Sequence, residues 1–328
     1  MVMSIARFNM IQPGLEPIEM SARYQAFVDM AEFAEQHGFS TITLEEHHGA
    51  ENGWSCSPLA MACMVFARTK RIGVSISALL VPQHHPVRLA EDIAVADLLS
   101  GGGRLSIITG LGYRPSEYHL LDREWKRRGK LLDEALDVML AAWTGEPFDY
   151  KGETVRVTPV PISKPHPQLL IGGTSPASAR RAARLGLPFF PAAHLPDLEA
   201  LYNDELAANG KTGLCIMPAP NTTLNFIHED PDQAWAELGQ YFFNEASVYA
   251  AWQPPSNKSA VKSAAGNPAE LREEGIYRVL SPQEAIDELQ GAGDFAFMTH
   301  HPLCGGMPID EGWRSLQLYA DSVLPALG

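Results

Sequence analysis

Glu45-Glu46-His47-His48 is the sharpest chemical feature of this chain. A histidine beside a carboxylate, held at a strand end, can be tuned as a general acid or base near neutral pH. That makes His47 the candidate proton handler and Glu46 its candidate companion. A second feature is the run Gly172-Gly173-Thr174-Ser175-Pro176-Ala177-Ser178. Two glycines let the backbone turn tightly and approach a ligand closely. Free N–H groups at a helix start, with the hydroxyls of Thr174, Ser175 and Ser178, make a cradle for a phosphate. The same run also suits a plain helix cap. Ser77 and Ala78 are small residues late in an Ile/Val/Leu/Ser-rich stretch, where they would leave room for a flat ring or simply relieve packing.

These groups need a scaffold, and the chain alternates strand and helix. Strands are expected over 4–11, 41–46, 71–81, 104–110, 168–171, 188–191, 222–227 and 294–299. Helices are expected over 20–36, 58–68, 86–99, 125–143, 175–185, 196–208, 231–244, 281–290 and 311–324, with Ser57 and Ser281 as N-caps. Residues 148–157 read as a hairpin outside this alternation. Eight strand–helix units imply an α/β fold with a parallel sheet, and eight favour closure into a (β/α)8 TIM barrel. Insertions fall after strand 4 and before strand 8, and a single domain covers 1–328. An open doubly wound sheet is the second choice; its G-x-G-x-x-G fingerprint is absent. Residues 246–275 have little apolar period and read as a lid or a surface insertion, with Tyr249 and Trp252 favouring the lid. In a barrel the active site lies at the strand C-termini. His47, His48, His84, His85, His194, His228, His300 and His301 all follow such ends, which places them at one mouth.

Composition narrows the partners. The net charge of −14 argues against nucleic acid and against docking on an anionic membrane. It leaves a phosphate-bearing cofactor open. Cys56, Cys63, Cys215 and Cys304 form no C-x-x-C pair, which suggests a reducing, cytoplasmic setting. Residues 1–14 read as a first strand rather than a signal peptide, and no run reaches the ~18 apolar residues of a membrane helix.

The residues then match a known family. Thr43-Leu44-Glu45-Glu46-His47-His48, the block from Arg68 to Glu117-Tyr118 with Leu98-Leu99-Ser100-Gly101-Gly102-Gly103-Arg104, the 172–178 loop and the closing run 313–325 resemble bacterial luciferase-like monooxygenases. The resemblance implies a barrel that binds reduced FMN at its C-terminal mouth. It places the phosphate at Gly173, Thr174, Ser175 and Ser178, and the ring near Ser77 and Ala78, where the family often has a non-prolyl cis peptide. Gly110, Tyr113 and Gly172 would complete the cofactor contacts. His47 would be the acid/base residue with Glu46 near the ring, and Arg128 could approach the phosphate. One departure stands out. The family often carries Gly-Arg at the end of strand four, and this chain has Gly110-Leu111. Losing a charge-assisted contact should weaken phosphate binding unless Arg114 or Arg128 substitutes.

The implied activity is a flavin-dependent monooxygenase in which reduced FMN, supplied by a separate flavin reductase, and O2 oxidise a small organic substrate. The rivals are hydride transfer with a deazaflavin coenzyme, a metal-dependent hydrolase using the mouth histidines, and a non-catalytic flavin binder. No metal site is expected, because the His-x-His at the first strand end that a barrel hydrolase usually shows is missing. Residues 57–68 are apolar all round, so one face is expected to meet a second copy in a homodimer.

Overall fold

The computed structural model describes residues 2–12, 14, 16–293 and 296–327. Strand β1 (Met3–Phe8) leads to α1 (Pro17–Gln36), β2 (Thr41–Leu44), α2 (Pro58–Arg68), β3 (Gly73–Leu79), α3 (Pro86–Ser100) and β4 (Leu105–Thr109). The short α4 (Pro115–Leu120) and long α5 (Arg128–Trp143) follow, then the hairpin β5 (Phe148–Tyr150) and β6 (Glu153–Val155). The alternation resumes with β7 (Gln168–Gly173), α6 (Pro176–Leu185), β8 (Phe189–Pro191), α7 (Pro196–Ala208), β9 (Leu224–Ile227) and α8 (Pro231–Trp252). It ends with α9 (Pro268–Glu274), β10 (Tyr277–Leu280), α10 (Pro282–Gly291), β11 (Phe297–His300) and α11 (Ile309–Leu318).

The main sheet runs β10-β9-β11-β1-β2-β3-β4-β7-β8, and every pairing in it is parallel. This is the strand order of the expected barrel with β10 added. Among the described residues the outermost named strands are β8 on one side and β10 on the other. A bridge from Phe189 to Cys215 continues it past β8.

Several expectations need correction. Helix α4 and strand β10 were not anticipated. The 125–143 helix begins with a 3-10 turn at Trp125–Arg127, and α5 proper starts at Arg128. Ser57 stands at the N-cap of α2 without a side-chain cap bond, whereas Ser281 forms a full capping box with Glu284. The last strand was expected to start at 294, but 294 and 295 lie outside the described residues, as do 1 and 13 of the first stretch. Most consequential is α8. It does not end at 244 but runs two turns further to Trp252, and 268–274 is also helical. Only 253–267 of the expected lid lacks regular helix. The extension forms because its Glu245 and Ala246 are buried against the sheet while Tyr249 and Trp252 find aromatic partners.

Strand periodicity sorts the side chains. In β1, Phe8 packs edge-on to Phe27 of α1 with centroids 5.0 Å apart, and Ser4 Oγ meets Tyr319 Oη at 2.8 Å. Arg7 and Asn9 point the other way and reach Glu245 of α8 at 2.9 and 2.7 Å. Helices α1 and α8 therefore lie on opposite faces of β1. The larger apolar core fills the space between the strands and their covering helices, and a smaller one joins β9, β10, α8 and α9.

Candidate active site

After β2 the chain stays extended through Glu45-Glu46-His47-His48, and successive side chains go separate ways. Glu45 pairs with Arg7. His47 is buried, and its backbone N–H donates to Ser55 O. Its Nδ1 lies 2.8 Å from Glu117 Oε1 and its Nε2 3.0 Å from Tyr113 Oη. Glu117 belongs to the first turn of α4. It also accepts from the His48 N–H, Arg114 Nη1 and Gln83 Nε2. Burial raises the Glu117 carboxyl, but the His47 bond, the His48 N–H and the Arg114 charge outweigh it and hold it below the usual range. An ionised Glu117 accepts from the Nδ1–H of His47, which leaves Nε2 for Tyr113. Nε2 is then the acceptor, and the Tyr113 hydroxyl donates to it. Burial above all, with Tyr249, Glu45 and Glu117 nearby, pushes the Tyr113 phenol far up, so it keeps its proton.

Aromatic rings close over this relay. Trp54, Tyr113 and Trp252 stand edge-on to His47 with centroids at 5.2, 5.4 and 5.1 Å. Tyr249 stacks on Trp54 at 5.9 Å, and the Arg114 guanidinium lies over Trp252 at 4.0 Å. Tyr249 and Trp252 come from the unexpected end of α8.

Glu46 does not meet His47. It turns to the far side of the strand, where Oε2 accepts from the Leu80 N–H and Oε1 lies 3.0 and 2.7 Å from Nε2 of His48 and His84. Burial would raise this carboxyl, but the two histidines and the Leu80 N–H bring it down to about 2. Glu46 thus pins the end of β3, immediately after the Ser77–Ala78 peptide, which is cis. A cavity of about 330 Å³ opens beside Glu46 and His84, between α2 and α3.

Ala78, Gly110 and Gly172 lie side by side across the ends of β3, β4 and β7. A Cβ on Gly110 would come within 2.8 Å of Ala78 Cβ, and one on Gly172 within 2.5 Å of Thr109 O. Next comes the turn into α6. Gly173 has φ 136°, open to glycine and rarely to other residues, and a Cβ there would meet Ser178 Oγ at 2.8 Å. Ser175 and Ser178 form a reciprocal capping box, so their hydroxyls already have partners. The Ala177 N–H has no partner within its helix, because a first-turn amide lacks a carbonyl four residues back. Beside this floor Thr109 Oγ1 is buried without a hydrogen-bond partner among the described residues. Bare backbone, an orphaned hydroxyl and a helix N-terminus fit a flavin nucleotide with its phosphate on α6. The two arginines proposed as substitutes are engaged elsewhere. Arg114 serves Glu117 and Trp252, and Arg128 stacks on Trp125 at 3.9 Å while bonding its carbonyl.

The eight mouth histidines do not form one cluster. His47, His48 and His84 gather around Glu117 and Glu46. His85 reaches Tyr150 of the hairpin, His194 the Pro218 carbonyl and His228 the Asp230 backbone. His300 points outward between Tyr319 and Phe39, because it shares the face of Ala6 in β1. His301, on the opposite face, bonds Glu245, as do Asn9, Cys304, Tyr277 and Arg7. Among the described residues two groups hold three metal-ligating atoms within 4.8 Å of one another: Glu46, His48 and His84, and Glu245, His301 and Cys304. Both are knit by hydrogen bonds to their own carboxylate.

Sequence reasoning gave Glu117 no role, cast Arg114 as a possible phosphate ligand rather than a partner of Glu117, and missed Trp54. Glu117 was within reach as a carboxylate four residues after Tyr113. Trp54 carried no signal beyond being a large aromatic in a strand-end loop.

A family model for luciferase-like monooxygenase matches residues 3–296. The chain belongs to the luciferase-like monooxygenase family. The oxygenase component of a flavin-dependent trigonelline monooxygenase from Acinetobacter baylyi is 22% identical over 334 residues, covering 92% of this chain and 89% of that one. The first curated relatives match less of themselves, and the chain spans about half their length, 50% and 51%. A monooxygenase from Streptomyces bottropensis superposes with a TM-score of 0.74 at 24% identity, over 100% of both chains. The oxygenating constituent of 3,6-diketocamphane monooxygenase from Pseudomonas putida, solved with FMN, has a TM-score of 0.72 at 18% identity over 99% of both. These likenesses show the shared fold. No helix among the described residues is long and apolar enough to cross a membrane.

Proposed function

We propose that this chain is the oxygenase of a flavin-dependent monooxygenase that takes reduced FMN from a separate reductase and oxidises a small organic substrate with O2. The observation that carries this reading is the buried His47, held between the Glu117 carboxylate and the Tyr113 hydroxyl at the same strand ends as the 172–178 turn. Ser77, Ala78, Gly110 and Gly172 would support the flavin ring. Gly173, Thr174, Ser175 and Ser178 would hold its phosphate, with Arg128 joining if it leaves Trp125. Bound reduced FMN supplies the electrons that activate O2.

The protein's own part is positioning and proton control. Glu117 fixes the tautomer and orientation of His47. His47 Nε2 takes a proton through Tyr113 Oη and returns it. Glu46 acts at one remove, holding Leu80 and so the strand end on which the ring would rest. The rings of Trp54, Tyr249 and Trp252 exclude water, with 246–275 acting as the lid. The reductase is inferred from the Acinetobacter relative, named as one component of its system. A cytoplasmic setting is proposed, supported by four cysteines that form no disulfide among the described residues. A homodimer is proposed through α2 and α3, where Met64, Val95, Leu98 and Leu99 are exposed.

Titration with oxidised and reduced FMN tests the reading. Reduced FMN should bind more tightly, and its oxidation with substrate should consume O2. Tighter binding of a deazaflavin, with turnover that leaves O2 untouched, would replace this function with hydride transfer.

A further inference from the structure

We propose that the substrate is a planar aromatic molecule of roughly bicyclic size carrying a hydrogen-bond acceptor, and that Trp252 occupies its place over His47. This rests on the monooxygenase reading above and adds the substrate class. The indole of Trp252 meets three members of the cluster. It lies edge-on to His47 at 5.1 Å, tilted against Trp54 at 5.2 Å, and under the Arg114 guanidinium at 4.0 Å. Edges, faces and a cation arranged around one flat ring complement the quadrupole of an aromatic guest, which a saturated guest of equal size lacks. The ring now there is the last residue of α8, next to the irregular 253–267 stretch. It can therefore leave without disturbing a strand end.

Two orphaned donors supply the second half of the argument. Trp54 Nε1 and Gln253 Nε2 are buried without a hydrogen-bond partner among the described residues. Trp54 and Gln253 are only 2% and 6% exposed. Trp54 touches the Trp252 ring, and Gln253 is the next residue in the chain. Buried donors without partners are costly, so both call for an acceptor that Trp252, itself a donor only, does not provide. A carbonyl or ring nitrogen on the substrate meets that need.

Three bicyclic probes separate the features: 1-indanone, its fully saturated ketone counterpart, and indane, which has the ring but no acceptor. Binding to the full chain is measured by calorimetry without flavin. Tryptophan fluorescence is followed in parallel, with Trp252→Phe assigning the signal. Indanone should bind roughly fivefold or more tightly than either analogue. Trp54→Phe should narrow its advantage over indane, Trp54→Phe with Gln253→Leu should remove it, and both should keep its advantage over the saturated ketone. Trp252→Ala should tighten indanone binding. Equal binding of the saturated ketone and indanone, or no binding of any probe to wild type and Trp252→Ala, overturns the substrate class. Because reduced-FMN binding is measured separately, its retention in that case leaves the monooxygenase reading standing, and its loss sinks both.

Discussion

Two clusters of histidine and carboxylate lie close together in this molecule, and they differ in how completely the carboxylate is answered. Around Glu245, Arg7, Asn9, His301, Cys304, Tyr277 and the Gly305 N–H all converge on one buried side chain. That demand for protons is met from every side. It holds α8 against β1 and the loop after β11. Around Glu117 the carboxylate is also ionised, but the histidine it orients offers its second nitrogen to a tyrosine hydroxyl beneath an aromatic cover. Donors crowded on one buried carboxylate make an anchor, and a histidine strung between a carboxylate and a hydroxyl makes a site of proton transfer.

The largest expected effect tests the second half of that contrast. His47→Ala should lower turnover by about 10²- to 10⁴-fold, the usual range for a lost acid/base group. Reduced-FMN affinity should stay within a few-fold, since the ring of His47 bonds Glu117 and Tyr113 and neither belongs to the 172–178 turn. Oxygen uptake and flavin titration on the same preparation check both. Unchanged turnover would move the proton chemistry away from His47.

The anchor is tested through stability. Glu245→Ala leaves the buried Arg7 with Glu45 as its remaining carboxylate, and should cost about 3–5 kcal/mol by denaturant unfolding. Because the same helix carries Tyr249 and Trp252, the variant should also expose tryptophan to quenchers. A loss below about 1 kcal/mol would mean that α8 is held by its apolar face alone.

Much of this was legible in the chain. The strand order of the barrel, the hairpin, the turn into α6 and the candidate His47 all follow from apolar periodicity, glycine placement and short motifs. The pairings were not, because they depend on which face each residue takes and on elements far away in sequence. Glu46 adjoins His47 yet faces away from it, as strand alternation requires. The same rule sends His300 outward and His301 inward, so that counting histidines at strand ends overstated the cluster. The true partner of His47 sits seventy residues on, in a single-turn-scale helix too short to show a period. The end of α8 was read as irregular because its large apolar residues, Tyr249 and Trp252, serve the mouth, and only the small Ala246 enters a core there.

His300 turns that lesson into a pH experiment. Burial alone pulls its pKa from 6.5 down to about 3, and neither ring nitrogen has a hydrogen-bond partner among the described residues. The unfolded chain takes up this proton near pH 6.5 and the folded one only near 3. Stability from His300 is therefore complete above about pH 6.5 and falls as pH drops toward 3, by about 3 kcal/mol at pH 4.5. His300→Phe should flatten that part of the stability-against-pH curve. If the slope survives, the acid sensitivity belongs to another group.

The smallest effect decides on which side of the contrast the α6 turn falls. The Ser175 and Ser178 hydroxyls answer each other in the capping box, which resembles the saturated anchor. The helix N-terminus behind them still offers its field and its Ala177 N–H, which resembles the open site. Ser175→Ala removes the cap and should cost about 1 kcal/mol of stability. If the turn is only a cap, reduced-FMN affinity will not move. If it holds the phosphate, affinity should also fall, by roughly fivefold, since the lost hydroxyl contributes about one hydrogen bond. The expected result is both losses together, measured by unfolding and flavin titration on one variant. A stability loss alone would leave Gly172 and Gly173 as packing residues and take the phosphate away from α6.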